Sequence, residues 1–482
     1  MNNLPAETDV VVIGSGAAGL AAALTAAEGG AKVTVFEKQR SLGGTSNFFE
    51  GIFAAESDMQ RERYIMYSRD EAFRSIMDYS HWMANPRLVR AIINESGPTI
   101  AWLQQQGVVF VDATINMPDS PRTYHVVKGK GEAVVKALVT KAKEKGVDIR
   151  PATPVKQIVK QGENIKGVIA EQDGEDKQLG AKVVIIASGG YANNKEWIKK
   201  YTGFDLDVNV IPIGNIDKMG DGIRMAWELG AAEEGKSLLE LYRVGPMAPE
   251  FAMANQLEYT VAQPCLWVNP KGERFCDESI AFYDSLVGNA NAKYKEGFTY
   301  TIFNDEAVKR MQERGIDKGL VVAVPPGSKP VDFYRELKAA LERGTTEIFV
   351  AESIEELAVK ININPETLKA TVNEYNTCCD KHHDDLFAKD PKYLFPIKSP
   401  KYYAIKGHTV FLGTMGGIKI NEKAQVVDKK DVVIAGLYAA GFDAGGMYGD
   451  SYAIKCASGL ASSFALNSGR IAGKDALKFL GK

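Results

Sequence analysis

Asp9-Val10-Val11-Val12-Ile13-Gly14-Ser15-Gly16-Ala17-Ala18-Gly19-Leu20 stands near the start of the chain. Residues 9–13 form a short β-branched run of the kind found in buried parallel strands. Residues 20–28 are rich in Ala and Leu, which predicts a helix. Gly29-Gly30 ends that helix, and residues 32–36 predict a second strand that closes at Glu37. Together they make one βαβ unit. The spacing Gly14-x-Gly16-x-x-Gly19 suits a bound dinucleotide: Gly14 permits the tight turn, Gly16 lets backbone approach a pyrophosphate, and Gly19 lets helix pack closely on strand. The helix start contributes free N–H groups and a partial positive charge. Glu37 is placed to accept hydrogen bonds from ribose hydroxyls. The fingerprint alone does not separate FAD from NAD.

A chain of 482 residues predicts two or three domains. Its formal charge of -3, from 58 basic and 61 acidic residues, points to neither nucleic acid nor an anionic membrane surface. Cys265, Cys276, Cys378, Cys379 and Cys456 are odd in number and lack Cys-x-x-Cys spacing. That argues against a disulfide framework, a zinc or iron–sulfur site and a c-type haem, and a reducing, cytoplasmic setting is expected. Residues 1–9 are polar, with no basic segment before the apolar run, so no secretory signal is read. Glycines interrupt residues 10–27, so that run reads as strand, turn and helix, and no membrane span is expected. His382-His383-Asp384-Asp385 reads as a solvated charged face, and no metal site is expected.

Residues 66–107 look helical, with Trp82, Leu88, Ile92 and Leu103 as core positions. Gly129-Lys130-Gly131 precedes an amphipathic helix over 132–145. Residues 148–172 and 182–187 read as strands, the latter ending at Ser188-Gly189-Gly190. From about 240 to 390 strands alternate with charged helices, and Pro325-Pro326-Gly327 marks a loop. Glycine-rich character returns at Gly413 and dominates from Gly436 to Gly473, and a last helix is predicted over 457–480.

The motifs occur in a fixed order. Val11 to Leu20 is followed by Glu37-Lys38, Gly43-Gly44-Thr45-Ser46, Ile185-Ile186-Ala187-Ser188-Gly189-Gly190-Tyr191 and Gly220-Asp221-Gly222-Ile223. Asn269 to Phe275, Thr414-Met415-Gly416-Gly417, Gly436 to Gly441 and Ser468 to Gly473 complete the set. In this order, over nearly the whole chain, the sequence resembles the fumarate reductase/succinate dehydrogenase flavoprotein superfamily, in its soluble single-chain branch with the ketosteroid dehydrogenases. The resemblance implies an α/β fold: a bipartite Rossmann-type FAD-binding domain of residues 1–240 and 391–482, with an inserted α+β capping domain of residues 241–390. It implies FAD contacts from Gly14, Ser15, Gly16, Ala17, Ala18, Gly19, Glu37, Lys38, Gly43, Gly44, Thr45, Ser46, Gly189, Gly190, Asp221 and Gly441. The last helix would aim its start, at Ser458, Gly459 and Leu460, toward the flavin, where its dipole favours the anionic reduced form. Covalent members carry a flavin-linked histidine after the Gly-Gly-x-Ser segment. Asn47-Phe48-Phe49-Glu50 holds none, so the FAD is expected to be non-covalent.

The departures from the family concern substrate. Fumarate reductases place a histidine before Thr-x-Gly-Gly, where this chain has Gly413. Their arginine before the last helix is absent from Gly446 to Lys455, and no arginine follows Phe275 until after Lys309. Without such charge-assisted partners a dicarboxylate is poorly held. Tyrosines stand instead: Tyr448 and Tyr452, the latter near the ketosteroid dehydrogenase tyrosine, with Tyr242, Tyr283 and His408 as further candidates. Arg274 and Glu278 match the family's Arg-Phe-x-x-Glu segment, either as catalytic groups or as an ion pair holding the cap. Phe442 replaces the family's ribityl-binding glutamate, and Asp443, one position on, either substitutes for it or faces elsewhere.

The expectation is an FAD-dependent reductase or dehydrogenase that moves hydride at flavin N5 with a tyrosine as proton donor. The substrate would be neutral and ring-bearing, ketosteroid-like or a phenolic isoflavonoid such as tetrahydrodaidzein. One alternative is a fumarate- or urocanate-like enoate reductase, with Lys455 or Arg243 gripping the acid. Another is a non-catalytic electron-relay flavoprotein. The electron donor is left open between NAD(P)H, a free reduced flavin and a protein.

Overall fold

The computed structural model describes residues 5–247, 251–252, 254–320 and 324–482. Residues 1–4 of the polar N-terminus lie outside the described residues. The chain divides into two compact units, one of residues 1–203, 214–240 and 412–482, the other of 204–213 and 241–411. Residues 391–411, expected with the FAD-binding domain, thus fold in the second unit. The strand Tyr402–Thr414 is the reason, since it pairs there with both Phe298–Asn304 and Ile348–Ala351.

The first unit is built on the predicted βαβ unit. β1 (Val10–Ile13) leads into α1 (Ala17–Glu28) and then β2 (Val33–Phe36). β3 (Asp148–Arg150), β4 (Val183–Ile186), β5 (Gln425–Val427) and β6 (Val433–Ala439) complete a sheet of order β5-β6-β4-β1-β2-β3 among the described residues. All its pairings are parallel except β5 with β6. Every residue of β1, β2 and β4 is buried, as a sheet covered on both faces requires. α1 is buried from Ala17 to Ala27, so it is enclosed on all sides, with Leu20 and Leu24 in one core cluster with Ile100, Leu103 and Leu138. It packs against α2 (Leu460–Leu480), where a Cβ on Gly469 would lie 2.1 Å from the Ala18 carbonyl oxygen.

The segment 66–107 is helical as expected, in two helices, Arg69–Tyr79 and Pro86–Gln105. Leu88, Ile92 and Leu103 are buried, but Trp82 is 58% exposed. Trp82 falls in the turn between the helices with φ 58°, so the helical phase that put it in the core does not reach it.

In the second unit the sheet carries Leu266–Val268, Phe298–Asn304, Ile348–Ala351 and the long strand in antiparallel register. The helices Ile354–Lys360 and Pro365–Lys381 pack Leu357, Leu368, Val372 and Tyr375 against it. Beneath them lies a buried ionic network. Arg274 donates to Glu278 at 2.7 and 2.8 Å and to Asp384 at 2.7 Å, and Lys389 pairs with Glu278 at 3.1 Å. Asp384, read from sequence as part of a solvated face, is only 2% exposed. The helix ends at Lys381, His382 takes φ 52°, and the chain turns so that Asp384 faces inward while His383 stays outside.

Burial works to raise the Asp384 pKa, but the Arg274 guanidinium and the amides of Phe387 and Leu386 outweigh it and bring it from 3.8 to about 2. A carboxyl depressed in the folded state stabilises above its unfolded pKa and loses that contribution as pH falls through the folded value. The network is therefore at full strength above pH 3.8 and fades toward pH 2. Asp384→Asn should cost about 3–5 kcal/mol at neutral pH, because it leaves Arg274 partly uncompensated in the interior. Urea unfolding followed by fluorescence of the buried Trp267 measures this. A loss below about 1 kcal/mol, the scale of a surface pair, would contradict it.

Candidate functional site: a dinucleotide cradle and a tyrosine pair

The cradle is assembled where β1 and β4 end. Gly14 turns with φ 106°, and a Cβ there would come within 2.2 Å of the Ala187 carbonyl oxygen. A Cβ on Gly19 would lie 2.0 Å from the Gly14 carbonyl oxygen, so α1 begins directly on the turn. Gly16, as its N-cap, offers no capping side chain, and the Ala17 amide donates to Ser46 Oγ at 2.9 Å. Glu37 accepts from Ser15 Oγ at 2.7 Å, the Ser15 amide at 3.1 Å and the Gln39 amide at 2.8 Å. Ser15 Oγ also accepts from the Gly43 amide at 3.2 Å, which ties the Gly43-Gly44-Thr45-Ser46 loop to the fingerprint.

The third wall is Ser188-Gly189-Gly190. Asp443 is fully buried and accepts from Ser188 Oγ at 3.0 Å and from the amides of Gly189 and Gly190 at 2.9 Å. Burial raises its pKa while those donors oppose the shift. Asp443 therefore spends its carboxylate on shaping this loop. Lys38 pairs with Asp221 at 2.8 Å and with Asp217 at 3.2 Å. Gly441 donates its amide to Ser468 Oγ at 3.0 Å. A turn that only glycine fits and a helix start without a side-chain cap of its own suit a dinucleotide diphosphate, and the Glu37 carboxylate beside them suits ribose hydroxyls.

The start of α2 is the second feature of this unit. Gly459 is its N-cap, Ser458 Oγ donates back to the Ile454 carbonyl at 2.8 Å, and Leu460 opens the helix. The Ala461 amide donates to Tyr452 Oη at 3.3 Å. Tyr448 lies edge-on to Tyr452 and to Phe464, with ring centroids 5.8 and 5.6 Å apart. Both tyrosines are buried, and Tyr448 Oη has no hydrogen-bond partner among the described residues. Burial, and then the charge of buried Glu240, push both phenols well above their usual 10, while the Ala461 amide works the other way on Tyr452.

Phe442 explains two departures at once. A Cβ on Gly413 would meet the Phe442 ring at 2.4 Å, so the residue in the glutamate's place fills the space of any side chain at 413. The remaining candidates fall in the second unit. Tyr242 and Tyr283 are half-buried there. Arg274 and Glu278 are buried in the ionic network, an arrangement that favours the ion-pair reading over a catalytic one. His408 Nε2 sits 2.6 Å from Glu347. Arg243 is buried among neutral partners, donating to Thr299 Oγ1, Thr301 Oγ1 and the Val261 carbonyl, and burial pushes its pKa down to about 9. Two cradle-side residues escaped sequence reasoning, Lys218 and Glu240. Lys218 stands three positions before Asp221, and neither it nor Glu240 carries a signal in the sequence.

Gly14→Ala should yield protein that folds but purifies without most of its FAD, since the new Cβ must move the turn off Ala187. The 450-nm absorbance against total protein reads this, and unchanged flavin content would count against the cradle.

Residues 9–459 match the FAD binding domain family. The chain is 35% identical over 480 residues to the vinyl phenol reductase of Lactiplantibacillus plantarum, a match over 98% of this chain and 96% of that one. It is 28% identical to the cytochrome fumarate reductase of Shewanella frigidimarina, over 98% of this chain and 77% of that one. In three dimensions it superposes on 3-ketosteroid delta1-dehydrogenase from Sterolibacterium denitrificans with a TM-score of 0.80, at 20% identity, over 99% of this chain and 100% of that chain, a likeness of fold. Among the described residues no helix is long and apolar enough to cross a membrane. The chain thus belongs to the FAD binding domain family, and it is an FAD-dependent oxidoreductase.

Proposed function

We propose that this protein reduces a carbon–carbon double bond conjugated to a neutral phenol ring, a substrate of the vinyl phenol type. The contact between Phe442 and Gly413 carries the reading: where the fumarate reductase pattern needs a histidine to grip a carboxylate, an aromatic ring closes the space. A relative that matches over 98% of this chain and 96% of its own length is named a vinyl phenol reductase, which supports it.

FAD supplies two-electron hydride chemistry when bound. It would rest on Gly14 to Gly19, Glu37, the 43–46 loop and Gly189-Gly190, with the start of α2 facing it. It would be held without a covalent bond, a reading supported by the lack of histidine in residues 47–50. Precipitation of the holoprotein with acid should leave all the flavin in the supernatant, and colour in the pellet would show a covalent link.

The tyrosines divide the remaining work. Tyr452 keeps its proton at neutral pH because its surroundings are dry. Once it gives that proton to the substrate carbon, the Ala461 amide and the positive end of a helix stabilise the phenolate left behind. Tyr448 has no such support. Its unpartnered hydroxyl is free to hydrogen-bond the substrate's phenol oxygen, while its ring forms an aromatic wall.

Two substitutions separate these roles. Tyr452→Phe should slow alkene reduction by about 10²–10⁴-fold and leave flavin reduction by dithionite unchanged. Tyr448→Phe removes a buried, unsatisfied hydroxyl, so the protein should become more stable by about 1 kcal/mol while substrate KM rises about tenfold. Reoxidation of the reduced protein by 4-vinylphenol, fumarate and urocanate reads the substrate class. Rapid turnover of fumarate with none of the vinylphenol would overturn the proposal.

A further inference from the structure

Lys218 is held on both sides by its main chain: its amide donates to Asn193 Oδ1, and its carbonyl accepts from the Asn193 amide, each at 2.9 Å. The side chain then runs into the cradle. Its Nζ donates to Thr45 Oγ1, and a Cβ built on Gly189 would lie 3.0 Å from that nitrogen. The ammonium therefore bridges two walls of the cradle, the 43–46 loop and the Ser188–Gly190 loop. Thr45 is fixed in turn by donating to the Gly214 carbonyl at 3.0 Å.

What it lacks is a charged partner. Among the described residues no carboxylate lies within ion-pair distance of Lys218 Nζ. The charges of Asp443 and Glu37 act on it without an ion pair, and the first is committed to Ser188, Gly189 and Gly190, the second to Ser15 and Gln39. Lys38, the neighbouring cation, is already paired with Asp217 and Asp221. An ammonium has three protons to donate, and one neutral hydroxyl leaves most of that capacity unused. A half-buried ammonium without an ion pair favours an opposite charge, and desolvation has already pushed this lysine down to about 8. The helix start of α1, on the same cradle, has the matching need for an anion.

We infer that Lys218 is a cofactor ligand whose ammonium would bind the pyrophosphate of FAD in this cradle. The inference rests on FAD binding and not on the substrate reading, so either can fail without the other. Lys218→Met keeps the length of the side chain without its charge. Apoprotein titrated with FAD, followed by quenching of flavin fluorescence, should show about a 10–100-fold rise in Kd for this variant and a flatter dependence on salt. ADP, which carries the pyrophosphate without the flavin, should lose a similar factor, whereas riboflavin should lose none. Lys218→Arg, which keeps the charge, should bind FAD far closer to the wild type than Lys218→Met.

Thermal unfolding of the apoproteins separates a ligand from a structural lysine. Lys218→Met removes a half-buried ammonium that makes no ion pair, so its apoprotein should melt no lower than the wild type. Unchanged FAD and ADP affinity would overturn the inference. So would an apoprotein that melts well below the wild type with both variants equally impaired, because the lysine would then serve the fold and not the cofactor.

Discussion

The packing of α1 leaves almost no space between backbones. Its first turn lies on the Gly14 carbonyl, and its outer face meets α2 with Gly469 against Ala18 and Gly473 against Ala22. Any larger residue at these contacts would lift the helix from the strand ends that it caps. Because the helix sits so low, its start converges with the 43–46 loop, whose Ser46 accepts from the Ala17 amide and whose Gly43 donates to Ser15. The same contact sets where α2 begins, and so where Ala461 meets the Tyr452 hydroxyl. The two helices run in the same direction, so the fingerprint turn and Tyr452 both lie toward the N-terminal end of one helix pair.

Charge in the cradle is distributed by prior commitment. Glu37, Asp443 and Asp221 each spend their oxygens on loops or on Lys38. These carboxylates shape the walls, and the one cation beside them without a counter-ion is Lys218 among the described residues. A diphosphate entering such a site meets donors held in place beforehand, and little reorganisation is needed to receive it.

The second unit uses charge differently. Arg274, Glu278, Asp384 and Lys389 are buried together and neutralise one another, which fixes the helix Pro365–Lys381 and the loop after it onto the sheet. Removing one partner there exposes the others to an interior that cannot solvate them. Arg243, by contrast, is held by hydroxyls and a carbonyl and stacks on Trp267 with its carbon 4.4 Å from the ring centroid. Its charge is spread by the guanidinium plane, which is why neutral partners suffice.

Local pattern carried much of this. The β-branched run before Gly14, the alanine helix and Glu37 named the Rossmann unit, because each depends on neighbours within a few residues or on steric rules that glycine alone satisfies. The ordered motifs extended that to FAD. Trp82 and Asp384 were misplaced because a helix break and a left-handed turn at His382 changed the phase of the chain, and such breaks are set by tertiary packing. The fate of Asp443, the collision of Phe442 with position 413 and the approach of Lys218 to Gly189 were likewise decided only in three dimensions. Each joins residues from 29 to 255 positions apart, and no local periodicity encodes which of two distant side chains will occupy a shared volume.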